Sequence, residues 1–209
     1  GVWYVMGVVL SAGGAFAWYR DQLARDLAGV DQPDVRLTEE AAGVRAGADG
    51  VIFLPYLQGE RTPHRDAALR GAFVGLSLAH TRAHLTRAVL EGVCYALRDS
   101  VSILGELGLA PAHLLLTGGG ARSPFIRRLQ ADVFGLPVTT VSREEGPAYG
   151  AALLAAVGVG AFPDLPAAVH CVLTRAPLAY PDRAAQLTYQ DLYDRFRACY
   201  PAARPAPGC

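Results

Sequence analysis

The apolar positions of this chain follow two periods. Short runs rich in β-branched and aromatic residues occur at 3–9, 51–54, 71–76, 114–116 and 138–141, and each predicts a strand. Between them the spacing lengthens to that of helices. Phe16, Tyr19, Leu23 and Leu27 define one face of a helix over 12–27, with Ser11 as its N-cap. Thr38, Glu39 and Glu40 open a short helix that ends near Gly47. The clearest helix starts at Thr81, and Leu85, Val89, Val93, Leu97, Val101 and Leu104 carry one apolar stripe to the glycines at 105 and 108. Ser123 and Pro124 open a helix that runs to Phe134. Gly146 and Pro147 open another to about residue 157, and 164–170 holds one more helical turn or two. Residues 187–198 are amphipathic, and 56–70, polar with Gly and Pro, form a long loop.

Strands mixed with helices predict an α/β layered domain. The strand–helix–strand order across 114–141 makes its two strands parallel. No repeat, low-complexity tract or clean internal boundary divides the chain. The expectation is one domain over 1–200 and a flexible, proline-rich tail over 201–209.

Composition narrows the function classes. Of 209 residues, 52% are hydrophobic and 18% charged, which suits a buried core and not a disordered chain. Lys plus Arg (19) balances Asp plus Glu (19), so no net field draws nucleic acid or an anionic membrane, and neither is expected as a partner. Cys94, Cys171, Cys199 and Cys209 lie far apart and read as free thiols of a reducing cytoplasm. The apolar run at 2–10 is too short to span a bilayer, and no signal peptide is evident. Position 1 is Gly and the only Met is Met6, which suggests a piece of something longer.

The strongest chemical signal is Thr117, Gly118, Gly119, Gly120, Ala121, Arg122, Ser123, Pro124. Glycines after a buried strand let a ligand meet the backbone, and they end at a helix N-terminus that favours a phosphate or ribose oxygen. A plain strand-to-helix turn is the competing reading. Neither GxGxxG nor a P-loop is present, because Ser123 follows where Gly is needed and no Lys follows at all. Gly13 and Gly14, inside the first helix, each cost about 1 kcal/mol against Ala. Close helix packing or a flat ligand against the helix would explain them. Gly146, Pro147, Gly150, Ala151 and Ala152 give a thin helix face suited to lying close to a sheet, with Glu144 and Glu145 as a solvated pair before it. The loop holding Glu60, Arg61, His64, Arg65 and Asp66 is either functional or a surface loop with ordinary salt bridges, the latter favoured. His80 and His84 have the spacing of metal ligands but no third partner, and Cys94 reads as a core residue.

Taken in order, these blocks resemble one family. Leu10 to Gly14 with Trp18 come first, then Phe53 to His64, Arg70 to Leu76, Val89 to Val93, and the triple glycine continuing through Val138. Glu145 to Ala152 complete the set. The chain is similar to the C-terminal domain of the FGGY carbohydrate kinases. The resemblance implies a ribonuclease-H-like, actin-like ATPase domain, with a mixed sheet flanked by helices and incomplete at its N-terminus. It implies ATP with Mg2+ as cofactors and phosphorylation of a sugar, D-xylulose first, with ribulose, gluconate or glycerol as alternatives. A non-catalytic actin-like nucleotide-binding module is the other class. Gly13 and Ala17 match family positions facing the nucleotide, and Gly118 and Gly119 match glycines against it. Gly120 is counted with them. Ser123 stands where Asn is frequent. The catalytic Asp and the sugar-binding domain are expected upstream of Gly1, so no catalytic residue and no metal ligand is assigned within the chain. Nucleotide is the expected partner, with sugar reached only through the upstream domain and a homodimer as a further possibility.

Overall fold

The computed structural model describes residues 4–141 and 146–204. Trp3, the segment 142–145 with Glu144 and Glu145, and residues 205–209 with Cys209 lie outside the described residues. In chain order the elements are α1 (Ala12–Leu23), α2 (Pro33–Ala42), β1 (Ile52–Leu54), β2 (Ala72–Val74), α3 (Arg82–Glu106), β3 (Leu114–Leu115), α4 (Pro124–Phe134), β4 (Val138–Val141), α5 (Gly146–Gly158), α6 (Leu165–Val172), β5 (Arg175–Ala179) and α7 (Arg183–Ala198). The strands form two small sheets. β1 and β2 pair antiparallel, with Phe53 opposite Phe73. β4 lies between β3, parallel to it, and β5, antiparallel to it.

The organising element is α3. Its N-terminus is closed by a capping box, in which His84 accepts from the Thr81 N–H. α1, α2, α4 and β1 all pack on it. A helix wrapped on several sides buries more than one stripe. Of the six stripe positions only Val89 is fully buried, while Ala88, Cys94, Tyr95 and Ala96 are buried elsewhere around the helix, as are Thr86, Arg87, Glu91 and Asp99. Gly92 sits against β1, where a Cβ would overlap the Phe53 carbonyl oxygen.

The buried charges on α3 are paired, as their desolvation demands. Glu91 accepts from Arg87 Nε at 2.6 Å, from the Gly47 N–H at 3.1 Å and from Tyr189 O–H at 3.1 Å. Arg87 also donates to the carbonyls of Ala41 and Val44. This one network ties α2, α3, α7 and the turn before β1 together. Asp99 accepts the Tyr193 O–H at 2.5 Å.

Several sequence expectations need correction. Residues 4–9 form no strand: Tyr4, Val5 and Met6 are exposed, and the run finds no ladder partner beyond a pairing of Val8 with Thr62. α1 ends at Leu23, with Arg25–Leu27 continuing as a 3-10 turn, and Ser11 makes no side-chain cap. α2 starts at Pro33, where proline suits the first helical position, and not at Thr38. α7 begins at Arg183, capped by Asp182. β5 was not foreseen. Pro177 lowers its strand signal, and β5 occupies the sheet edge where proline is tolerated. α5 packs on α6 and buries only Leu153, so its thin face is not spent on a sheet. At the far end Tyr200–Ala203 is a 3-10 turn docked through the Arg70 N–H to the Ala203 carbonyl at 2.8 Å, which carries ordered packing past residue 200.

Candidate functional site

Gly13 and Gly14 lie in the first turn of α1 and are exposed. The buried face of that helix is Ala15 and Tyr19, whose hydroxyl donates to the Arg82 carbonyl at 3.1 Å. A Cβ built on either glycine would meet nothing within 4 Å. Close helix packing within the described chain therefore does not account for them. Their effect is a flat strip of bare backbone, with partly buried Ala17 one turn along.

The second glycine group leaves the carboxyl end of β3, the place where open α/β sheets bind ligands. Leu116 N–H still bonds the Thr139 carbonyl at 2.9 Å. Gly118 then takes a φ of +80°, which an L side chain rarely adopts. Gly119 has no such demand, and its Cβ would also meet nothing within 4 Å. Gly120 is different: its Cβ would touch Ile126 at an ordinary 3.6 Å. Ser123 caps α4 by accepting the Ile126 N–H at 3.4 Å, with Pro124 at the first helical position. The Ser123 hydroxyl oxygen is therefore engaged in the cap, and its O–H is what it can offer a ligand.

The two groups share one support. α1 and α4 both pack on α3. Phe16, three residues after Gly13, and Phe125 and Ile126, in the first turn of α4, pack against the same core cluster. The Arg87 guanidinium lies 4.8 Å over the Phe125 ring. Among the described residues one depression lies beside Gly47 and Glu91 and another between the end of α4 and α7, and neither is lined by these glycines. The bare glycine backbone is open surface, not a hole.

The polar loop contradicts the salt-bridge reading favoured from sequence. No ion pair of Arg61, Arg65 or Asp66 is found among the described residues, and the loop is held by backbone hydrogen bonds together with contacts of the Thr62 and His64 side chains. Glu60 is only 3% exposed. Its Oε1 accepts the Arg61 N–H at 2.7 Å, and its main chain pairs in both directions with Asp66. Burial raises the Glu60 carboxyl above its ordinary range, opposed by backbone N–H groups of Arg61, Leu10 and Thr62. Sequence reasoning did not single out Glu60 as buried, because a charged residue in a polar loop is ordinarily solvated. His64 stacks on Tyr200 with centroids 3.9 Å apart.

The remaining candidates are structural. His84 Nε2 meets Asp49 Oδ2 at 3.2 Å, and His80 bonds to Ser77. Cys94 is buried, and burial pushes its thiol up. Among the described residues no group of three or more His, Cys, Asp or Glu could hold a metal ion. No helix among them is long and apolar enough to cross a membrane.

Residues 1–159 match the FGGY family of carbohydrate kinases, C-terminal domain. The xylulose kinase of Staphylococcus epidermidis is 37% identical over 198 residues, covering 95% of this chain and 39% of that protein. Among solved structures, xylulose kinase from Rhodospirillum rubrum matches with a TM-score of 0.78 and 37% identity over 94% of this chain and 39% of that one. Gluconate kinase from Lactobacillus acidophilus matches with a TM-score of 0.79 and 32% identity, covering 93% and 38%. The chain thus spans well under half the length of the relatives it matches.

Proposed function

This chain belongs to the FGGY family of carbohydrate kinases, and from that premise we propose that it is the nucleotide-binding part of an ATP-dependent sugar kinase. Its fold is the actin-like ATPase fold, here with helices dominant. The observation that carries the reading is the bare backbone of Gly13 and Gly119, which no neighbour among the described residues requires. A flat base or ribose can lie against Gly13 and Ala17. In this reading the Gly118–Gly119 backbone meets the same nucleotide, and the N–H groups opening α4 favour a phosphate or ribose oxygen. ATP would supply the phosphoryl group, and Mg2+ bound with it would neutralise the phosphate charge. No step is assigned to a metal ligand of this chain.

D-Xylulose is the first substrate to test, since xylulose kinases recur among the relatives. Gluconate is the second, because a gluconate kinase is as close in structure. Sugar recognition and proton removal from the sugar hydroxyl belong, in this proposal, to a longer protein containing the chain. The test is calorimetric titration of ADP into the wild type and Gly119→Val. Binding by the wild type and loss of at least ten-fold in the variant is expected, with melting temperature unchanged because the new side chain meets open space. Equal binding by both would make the glycine turn only a turn.

A further inference from the structure

Glu60 belongs to none of the nucleotide-facing positions, yet it is among the most buried polar residues of the chain. Its loop grips the segment that leads into α1. Val8 N–H donates to Thr62 Oγ1 at 3.1 Å, and Thr62 N–H donates back to the Val8 carbonyl at 3.1 Å. The Leu10 N–H faces the Glu60 carboxylate, and Ser11, next in sequence, starts the helix by accepting the Ala15 N–H at 2.8 Å. Leu10 is three residues before Gly13. The loop closes tightly on itself: Gly59 has a φ of +77°, and a Cβ there would strike the Ala67 backbone. Glu60 Oε2 and Ser11 Oγ are both buried without a hydrogen-bond partner. A buried carboxylate is costly unless backbone N–H groups need an anion.

We propose that Glu60, helped by Thr62, is a positioning residue that fixes the chain leading into α1 and so holds the Gly13–Gly14 backbone in place for a nucleotide. The inference rests on the nucleotide-binding reading above. It assigns the loop a role in binding that acts through the segment leading into α1. Glu60→Gln keeps the size and one acceptor but removes the charge. Thr62→Val removes the acceptor for Val8 without touching Glu60.

The test uses the 209-residue chain with ADP as probe, and reads two quantities. ADP affinity by calorimetry is expected to fall about ten-fold in Glu60→Gln and less in Thr62→Val, at near-wild-type melting temperature. Amide exchange is expected to quicken at residues 8–14 and stay unchanged in α4, a pattern that general destabilisation would not give. Wild-type ADP affinity in folded Glu60→Gln, with unchanged exchange at 8–14, overturns the proposal. If the wild type itself fails to bind ADP, the nucleotide reading falls. Exchange at 8–14 then still decides whether Glu60 positions the segment.

Discussion

At the scale of single residues, glycine has opposite meanings at two places in this chain. Gly92 is required by contact, since α3 can lie on β1 only without a Cβ there. Gly13 is required by no contact among the described residues. Substitution separates the two. Gly92→Ala is expected to destabilise by about 2 kcal/mol or more despite the better helix propensity of Ala, because the obstructing atom is backbone. Gly13→Ala is expected to stabilise by up to about 1 kcal/mol and to weaken ADP binding. Chemical denaturation beside calorimetry measures both. The sequence displays all these glycines alike. Only burial distinguishes a packing glycine from one that clears a surface, and burial depends on partners distant in sequence. Ser123 was legible as a cap because its geometry is local, whereas Ser11 was misread because its hydroxyl is buried without a partner and caps nothing.

Elements were legible where their signals are local. α4 with its Ser-Pro start and β4 with its β-branched run have the expected bounds. α3 was legible in extent but not in its buried face, since the Arg87, Glu91 and Tyr189 network looks like surface polarity until α7 packs over it. β5 was missed because an edge strand with proline has almost no sequence signature. The loop at 56–70 was legible as a loop, yet its grip on residues 8–10 and on Tyr200 comes from tertiary contacts. That grip has a pH signature. Burial is the main cause that lowers the His64 pKa from its ordinary 6.5, with Arg197 and Arg204 adding to it and Asp66 opposing. The Tyr56 hydroxyl and the Tyr200 ring complete its surroundings. A lowered pKa in the fold means that the neutral ring is favoured. Its contribution is complete above pH 6.5 and is lost as pH falls through the lowered value. The melting temperature of the wild type is therefore expected to fall faster than that of His64→Gln on acidification below pH 6.5. Parallel curves would show that the imidazole does not titrate against the fold.

For the whole molecule, six blocks in order identified the family from sequence, and the match over residues 1–159 bears that out. What remained hidden is how the two glycine groups are mounted, because they are about a hundred positions apart and the helices that carry them both pack on α3. The chain covers 39% of its xylulose kinase relative, so its own sugar-dependent turnover is expected to be nil. ADP release measured with D-xylulose and with gluconate checks this. The central claim is that Gly13 and Gly118–Gly119 face one nucleotide. Amide chemical shifts of the isotopically labelled chain during ADP titration test it most directly. The account predicts that the amides of residues 13, 14, 118, 119 and 120 shift together and saturate at a single ADP concentration. Shifts confined to one glycine group, or to residues remote from both, would contradict it.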